Sequence, residues 1–475
     1  MFHHRVARFE VAGDLGLPLA HPLYILLAKL FCVVPLGDIE YRVNLFSAVC
    51  AAAALGFAAD LLLSVTKRRV SAICGVSLLA VSHTFWTHAV IAEVYDLYAL
   101  GLLAELALLR RFFERKSARW LIAAAFVNGL NLSNHLLAIL HWPIYAAILI
   151  FALRRRTIGY GRIAASVLAM LIGASPYLVL IGMRIGGGDG FFSVFAEALL
   201  GPPDRARVVT AHSFPFLGQI KRSCLYFAMN FPTPIALLAI PGFWWARRDA
   251  RLRWMAWSAG GIFAVSFVFA FRYLVADQFV FFTGCYVIVA VFAAVGVDGI
   301  VERIRVAPAV LVAFALAPAA VYEIAPSILR ARGVSIGLSR GIPYRDSYEY
   351  FLRPRKNGYD GAERFAREAL AAAAPDGMIY ADTTIANLLV HARDDGRIEP
   401  GVTLCGPADV AIDPPTVETT PRAVADFAAR GMAFVASDAA NYVPIWIKQS
   451  YDLVPDGVIY RLVGSGRTTR AVDRP

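Results

Sequence analysis

The chain has 475 residues, of which 58% are hydrophobic and 17% charged, and its formal net charge is +11. Soluble domains carry about a quarter charged residues, so this balance excludes an ordinary water-soluble protein. Nor does the positive charge point to nucleic acid: Lys and Arg gather between apolar runs, the arrangement of cytoplasmic loops in membrane proteins.

In chain order, the N-terminal MFHHRVARFEVAGD is polar and lacks the apolar centre of a cleavable signal peptide. The short apolar stretch 19–36 begins at His21-Pro22 and is expected to be an external helix at the membrane interface. Membrane helices are predicted near 41–65, 70–88, 95–113, 119–131, 136–153, 163–183, 224–245, 254–271, 279–298 and 306–325. Apolar runs of about 18 residues or more suffice to cross a hydrocarbon core of about 30 Å. The class is a polytopic α-helical membrane protein, with residues 1–326 as its membrane domain.

Charge sets the orientation. Lys67, Arg68 and Arg69 follow the first predicted helix, and Arg110, Arg111, Arg115, Lys116 and Arg119 follow the third. Arg154–Arg156, then Arg247, Arg248, Arg251 and Arg253, then Arg303 and Arg305 continue the alternation. Every second connection is basic and is therefore assigned to the cytoplasm. The external connections then include Glu93, Asn131–His135, the segment 184–222 and the turn Arg272–Asp277. This topology leaves the N-terminus outside, which calls either for a helix ahead of this chain's first or for 19–36 to insert as a span. We expect the former.

Residues 327–475 change character and are expected to form an extracytoplasmic α/β domain. Strand-like runs at 378–382, 402–405, 433–437 and 458–463 alternate with helical patterns at 361–374 and 421–430. No GxGxxG or GxxxxGK[ST] occurs in this tail, so nucleotide binding has no support. The six cysteines show no spacing of a disulfide framework or zinc site.

Four features on the external side could carry chemistry. Glu93 and Tyr95 stand at a helix start beside Asp96. Asn131, Ser133, Asn134 and His135 interrupt apolar sequence, and Asp277 precedes the aromatic run QFVFF. Arg272 and the pair Lys221/Arg222 add positive charge. Each has a plainer reading: an acid suits a helix N-terminus, an Asn-rich break makes a polar turn, and long cationic chains reach to lipid head groups. Their placement on one membrane face is what favours a site. Asp60 and Glu105 are the exceptions within spans otherwise nearly free of charge.

The segments LGLPLAHPLYILLAKLF, YRVNLFSA (41–48), FWTHAVIAEVYDLYAL (85–100) and GLNLSNHL (129–136) resemble the bacterial "domain of unknown function 2723" proteins, relatives of protein O-mannosyltransferases. VADQFVFFTGCYVIVAVFAAVGV (275–297) and PYRDSYEYFL (343–352) extend the similarity over almost the whole chain. The resemblance implies the GT-C glycosyltransferase architecture and a bacterial inner-membrane location. It also implies a polyprenyl-phosphate-linked sugar, such as mannose, as donor and inverting transfer to a protein or glycan hydroxyl on the external face. Glu93 matches the family's second acidic position. Tyr95, Asn134 and His135 are then expected to line the donor pocket with Asp277, and basic residues such as Arg272 to neutralise the lipid phosphate. No cofactor is implied besides the donor, and no residue is assigned to a metal.

The chain also departs from that pattern. Relatives carry an acidic Asp-Ser-Gly-Glu-like motif and a helix ahead of the Leu-Gly segment, and their longer His-Pro motif is reduced here to His21-Pro22-Leu23-Tyr24. Glu10 and Asp14 are the carboxylates left as candidates for the first-loop catalytic base. A late start, a catalytically inactive lipid-binding paralogue and a shifted catalytic acid remain the competing explanations. A lipid-sugar flippase or transporter is the alternative of another class. It is disfavoured because the polar residues gather at one side instead of at the midplane.

Overall fold

A computed structural model of the chain describes residues 2–12, 16–200, 214–336, 343–373, 375–394, 401–406, 420–439 and 442–464. They form two units, residues 2–325 with 352–355, and residues 326–351 with 356–475.

In the larger unit the apolar runs fold as helices. After α1 (Phe2–Arg8) and α2 (Pro22–Phe31) comes α3 (Ile39–Val65). Asp38 starts α3 by accepting the Tyr41 amide at 2.8 Å, which satisfies one of the orphan N–H groups of a helix start. With 27 residues, α3 is about 40 Å long and exceeds the hydrocarbon thickness. Next are α4 (Arg69–Ala80), α5 (His83–Ala89), α6 (Tyr95–Arg115), α7 (Ala118–Asn134), α8 (Trp142–Arg154), α9 (Tyr160–Gly173), α10 (Ser175–Gly186) and α11 (Phe191–Leu200). Then follow α12 (Phe216–Asn230), α13 (Ala239–Arg248), α14 (Arg253–Arg272), α15 (Thr283–Arg303) and α16 (Pro308–Ala331).

Among the described residues, five helical segments are long and apolar enough to cross a membrane, or eight if each of three bent pairs counts as one span. The other two of the ten predicted segments fold as α6, which carries Asp96, Glu105, Arg110 and Arg111, and as α7, which has 17 residues. Three segments predicted as single helices are broken. α4 and α5 meet at 66°, α9 and α10 at 69°, and α12 and Pro234–Arg248 at 114°. Pro176 at the start of α10, and Pro232 and Pro234 after α12, supply no amide to the preceding turn, which accounts for the second and third breaks. The stretch 19–36 is helical only over Pro22–Phe31. Tyr24, Ile25 and Ala28 are buried in a cluster with Phe2 and Phe46, while Leu26 and Leu30 are exposed.

The centre of the bundle is α15, buried from Thr283 to Asp298 except at the partly buried Val289, and packed on α4, α6, α13 and α14. Asp298 ties it to the basic turn after α3. Its carboxylate accepts the Lys67 and Arg68 amides at 3.1 and 3.0 Å and the Ser71 hydroxyl at 3.0 Å.

Lipid tails are as apolar as leucine, so helices in a bilayer associate by close packing instead of by apolar burial. The contact of α7 with α9 works this way. A Cβ added at Gly129 would collide with the Met170 carbonyl, and one at Gly173 with the Phe126 carbonyl. Both obstacles are backbone and cannot swing aside. Gly129→Val is expected to lower the half-inactivation temperature of the detergent-solubilised protein by several degrees, read as loss of the monodisperse peak after heating. An unchanged profile would contradict this packing.

The smaller unit contains α17 (Ser347–Leu352), α18 (Gly361–Ala373), α19 (Thr383–Asp394), α20 (Pro421–Ala429) and α21 (Ile445–Ser450). Its strands are β1 (Met378–Tyr380), β2 (Thr403–Cys405), β3 (Ala433–Val435), β4 (Tyr451–Asp456) and β5 (Ile459–Gly464), in the order β2-β1-β3-β5-β4. β1, β2 and β3 are parallel, and β5 is antiparallel to β3 and β4. Phe365, Leu370, Ile379, Leu389, Phe434 and Leu462 form part of its core. The sequence pattern misses β4, because YDLVPD carries two acids and a proline where a strand signal would be apolar. As an edge strand it tolerates Pro455.

Candidate functional site

The site assembles where α5, α6 and the end of α7 meet. Glu93 lies in the short connection from α5 to α6, and its backbone is fixed to α3. Its amide donates to Ser47 Oγ and Ser47 Oγ donates to its carbonyl, each at 3.2 Å. Ser47 in turn pairs with the Tyr24 hydroxyl at 2.9 Å, so α2, α3 and the Glu93 loop are locked together. Burial pushes the Glu93 carboxyl up to about 7, and the negative charge of Asp277 adds to the rise, against a lowering hydrogen bond from the Val94 backbone. Asp277 is exposed at the start of the turn Gln278–Phe282, and its charge also acts on Tyr95 and Tyr226. Arg222, exposed on α12, acts on that same Tyr226.

Tyr95 opens α6 and is buried. One neighbour is His88 of α5, stacked at 4.8 Å between ring centroids with an interplanar angle of 22°. The other is His135, 5.2 Å away. His135 occupies the extended break after α7, and its Nδ1 accepts the Leu137 amide at 3.2 Å. Asn134, the last residue of α7, donates its side-chain amide to the Val94 carbonyl at 3.0 Å, which fixes the α7 terminus against the Glu93 loop.

His21 caps α2 with a φ of 48°, a left-handed conformation that turns the chain sharply into Pro22. Its Nδ1 donates to the Asn134 carbonyl at 2.7 Å, and its ring lies 5.2 Å from that of His135. Burial first, with the nearby Arg5 charge, lowers His21 to about 4 against a raising hydrogen bond to Asn134, so the imidazole is neutral at ordinary pH. Arg5 is itself buried and donates to the Glu10, Val11 and Leu19 carbonyls, holding the N-terminal segment in place.

The sequence-predicted residues Glu93, Tyr95, Asn134, His135, His21 and Asp277 thus come together. The others stand differently. The Glu10 carboxylate is 3.9 Å from His4. Asp14 lies outside the described residues. Arg272 ends α14 and sets its guanidinium over the Phe214 ring at 4.3 Å. Lys221 is exposed on α12. No group of three or more His, Cys, Asp or Glu residues is arranged to hold a metal ion among the described residues.

Sequence reasoning missed a second polar cluster just beneath the site. Glu105 is fully buried on α6, with His141 Nδ1 at 2.9 Å and the Tyr145 hydroxyl donating at 3.2 Å. The Asn128 and Asn131 amides donate to it at 3.2 and 3.4 Å. His141 Nε2 reaches the Tyr98 hydroxyl at 3.1 Å, and Trp142 donates to Asn128 at 3.0 Å. One carboxylate therefore joins α6, α7, the 3-10 segment Leu136–His141 and α8 around the break that carries His135. Glu105 was visible in the sequence as an acid within a span, but its partners lie 23 to 40 residues away on other helices.

Residues 16–158 match the family described as the protein O-mannosyl-transferase TMEM260 N-terminal domain. Glu93, Tyr95, Asn134, His135, His21 and Glu105 all fall within that stretch. No curated protein matches the chain by sequence. Among solved structures, the crystal structure of ArnT from Cupriavidus metallidurans bound to undecaprenyl phosphate is similar with a TM-score of 0.56 at 16% identity, covering 98% of this chain and 92% of that one. The apo ArnT structure gives 0.56 at 15% identity, covering 97% and 91%. The chain has the GT-C-like membrane fold, and over residues 16–158 it is similar to the N-terminal domain of protein O-mannosyl-transferases.

Proposed function

We propose that the chain is an integral membrane glycosyltransferase that moves a sugar from a polyprenyl-phosphate donor to an acceptor hydroxyl, with a protein as the acceptor and mannose as the first sugar to test. The observation that carries this reading is the coincidence of two independent findings. The residues gathered around Glu93 lie inside the stretch similar to O-mannosyl-transferases, and the chain as a whole shares the fold of a protein crystallised with undecaprenyl phosphate.

In this reading Glu93 is the general base. Its carboxylate takes the proton of the acceptor hydroxyl as that oxygen bonds to the anomeric carbon from the face opposite the phosphate. The bond from the anomeric carbon to the phosphate oxygen breaks, and polyprenyl phosphate leaves with the bonding electrons. The anomeric configuration inverts. A carboxyl held near 7 suits this role, because a base works best when its pKa lies close to the operating pH. Cations on the same side, Arg222 among them, neutralise the leaving phosphate. The reaction takes place on the extracytoplasmic face of the bacterial inner membrane, and the α/β unit lies on that side.

The pH dependence tests the assignment. Glu93 accepts a proton only when ionised, so transfer should rise with pH through about 7 and then level off. Asp277→Asn removes a charge that raises Glu93, so the rising limb should move to lower pH. A limb that stays in place in Asp277→Asn, measured over about pH 5–9 with the full chain in proteoliposomes, would remove the basis for Glu93 as the titrating base.

A further inference from the structure

Helix α5, His83–Ala89, turns 66° away from α4 before the chain reaches Glu93. Broken helices at membrane depth persist where they are covered by protein or line a cavity. Thr84, Thr87 and His88 stand at i, i+3 and i+4, so they share one face. Thr84 and His88 are buried, and the Thr84 Oγ1, Thr87 Oγ1 and His88 Nδ1 atoms are all enclosed without a hydrogen-bond partner among the described residues. The Thr84 backbone is already satisfied by the Asn230 side chain at 2.9 Å, which fixes α5 while leaving the hydroxyl unused. Across Tyr95, the Asn134 Oδ1 atom is likewise enclosed and unpaired.

Buried polar atoms are normally paired, and each one left unpaired is costly. Three on one face of a seven-residue helix, beside the proposed base, call for a ligand with several hydroxyl groups. The α5 sequence HTFWTHA holds no Lys, Arg, Asp or Glu, so the helix itself contributes only neutral side-chain donors and acceptors or imidazoles. That chemistry suits the hydroxyls of a sugar and does not suit a phosphate.

We propose that Thr84, Thr87 and His88 form the subsite for the sugar of the lipid-linked donor. The inference rests on the glycosyltransfer reading and deepens it. The subsite holds the pyranose ring, Glu93 lies five residues beyond His88, and the phosphate and polyprenyl chain are held elsewhere.

The test compares binding of undecaprenyl phosphate with binding of undecaprenyl-phosphate mannose and glucose to the full chain in nanodiscs. The variants are Thr84→Val and Thr87→Val, which keep volume and remove one hydroxyl each, and His88→Phe, which keeps the ring stacked on Tyr95. Each variant should bind a sugar-bearing lipid about three- to tenfold more weakly than the wild type does, the scale of one lost neutral hydrogen bond. Binding of undecaprenyl phosphate itself should not change. If the variants bind the sugar-bearing lipids as the wild type does, or lose both kinds of lipid equally, the subsite is overturned while the glycosyltransfer reading stands. If the wild type binds none of the three lipids, the glycosyltransfer reading falls, and the subsite with it.

Discussion

Glu93→Gln should lower sugar transfer by about 100- to 10,000-fold, the usual contribution of a positioned general base. The substitution keeps the shape of the side chain and leaves the contacts that position it. The amide to Ser47, the carbonyl from Ser47 and the Ser47 to Tyr24 link involve no carboxylate oxygen of Glu93. The variant should therefore insert, elute and melt like the wild type, and donor binding should change far less than turnover. Its residual rate should also lose the rise through pH 7, since the group that titrates there is gone. A variant with wild-type turnover would move the base to another carboxylate, with Glu10 and Asp14 as the remaining candidates from the first loop. Thermal elution profiles run alongside the kinetics separate a lost base from a lost fold.

The second large effect is expected at Glu105. This carboxylate is fully buried and accepts from Asn128, Asn131 and Tyr145 while paired with His141. Removing this buried acceptor takes one hydrogen bond from each of these donors, at a cost of about 1–3 kcal/mol for a buried group left unsatisfied. Glu105→Leu strands the His141 Nδ1 and weakens the hold on both asparagines, so the break that presents Asn134 and His135 loses its anchor. The protein should unfold at a markedly lower temperature in detergent. Glu105→Gln keeps one acceptor oxygen and should cost less. A Glu105→Leu protein as stable as the wild type would mean that the surrounding polar groups find other partners and that the cluster does not organise the bundle.

Much of the architecture is legible in the sequence. The apolar runs and the basic residues between them locate the helices, since length and hydropathy decide what can lie in a bilayer. The strands at 378–382, 402–405, 433–437 and 458–463 correspond to β1, β2, β3 and β5 because their apolar runs are short and lie between helical patterns. What local pattern does not reveal is where a helix breaks without proline. Ser82-His83 sits within an apolar run and gives no signal of the 66° bend that creates α5. Spatial convergence is hidden for a similar reason. Glu93 and Asp277 were each visible as acids at an external boundary, but their mutual influence depends on how α6 packs near the turn before α15. The α5 face was overlooked for another reason: threonines and histidines in an apolar segment read as packing until their unpaired atoms are placed in three dimensions.

The most direct test follows a labelled sugar. Full-length protein in proteoliposomes is supplied with undecaprenyl phosphate carrying radiolabelled mannose or glucose, together with extracytoplasmic acceptor proteins. The account predicts that label leaves the lipid fraction, appears on protein through an acid-stable glycosidic bond, and is matched by released undecaprenyl phosphate. Label that remains on lipid, or that crosses the bilayer still attached to it, would contradict glycosyl transfer and favour a lipid-sugar flippase.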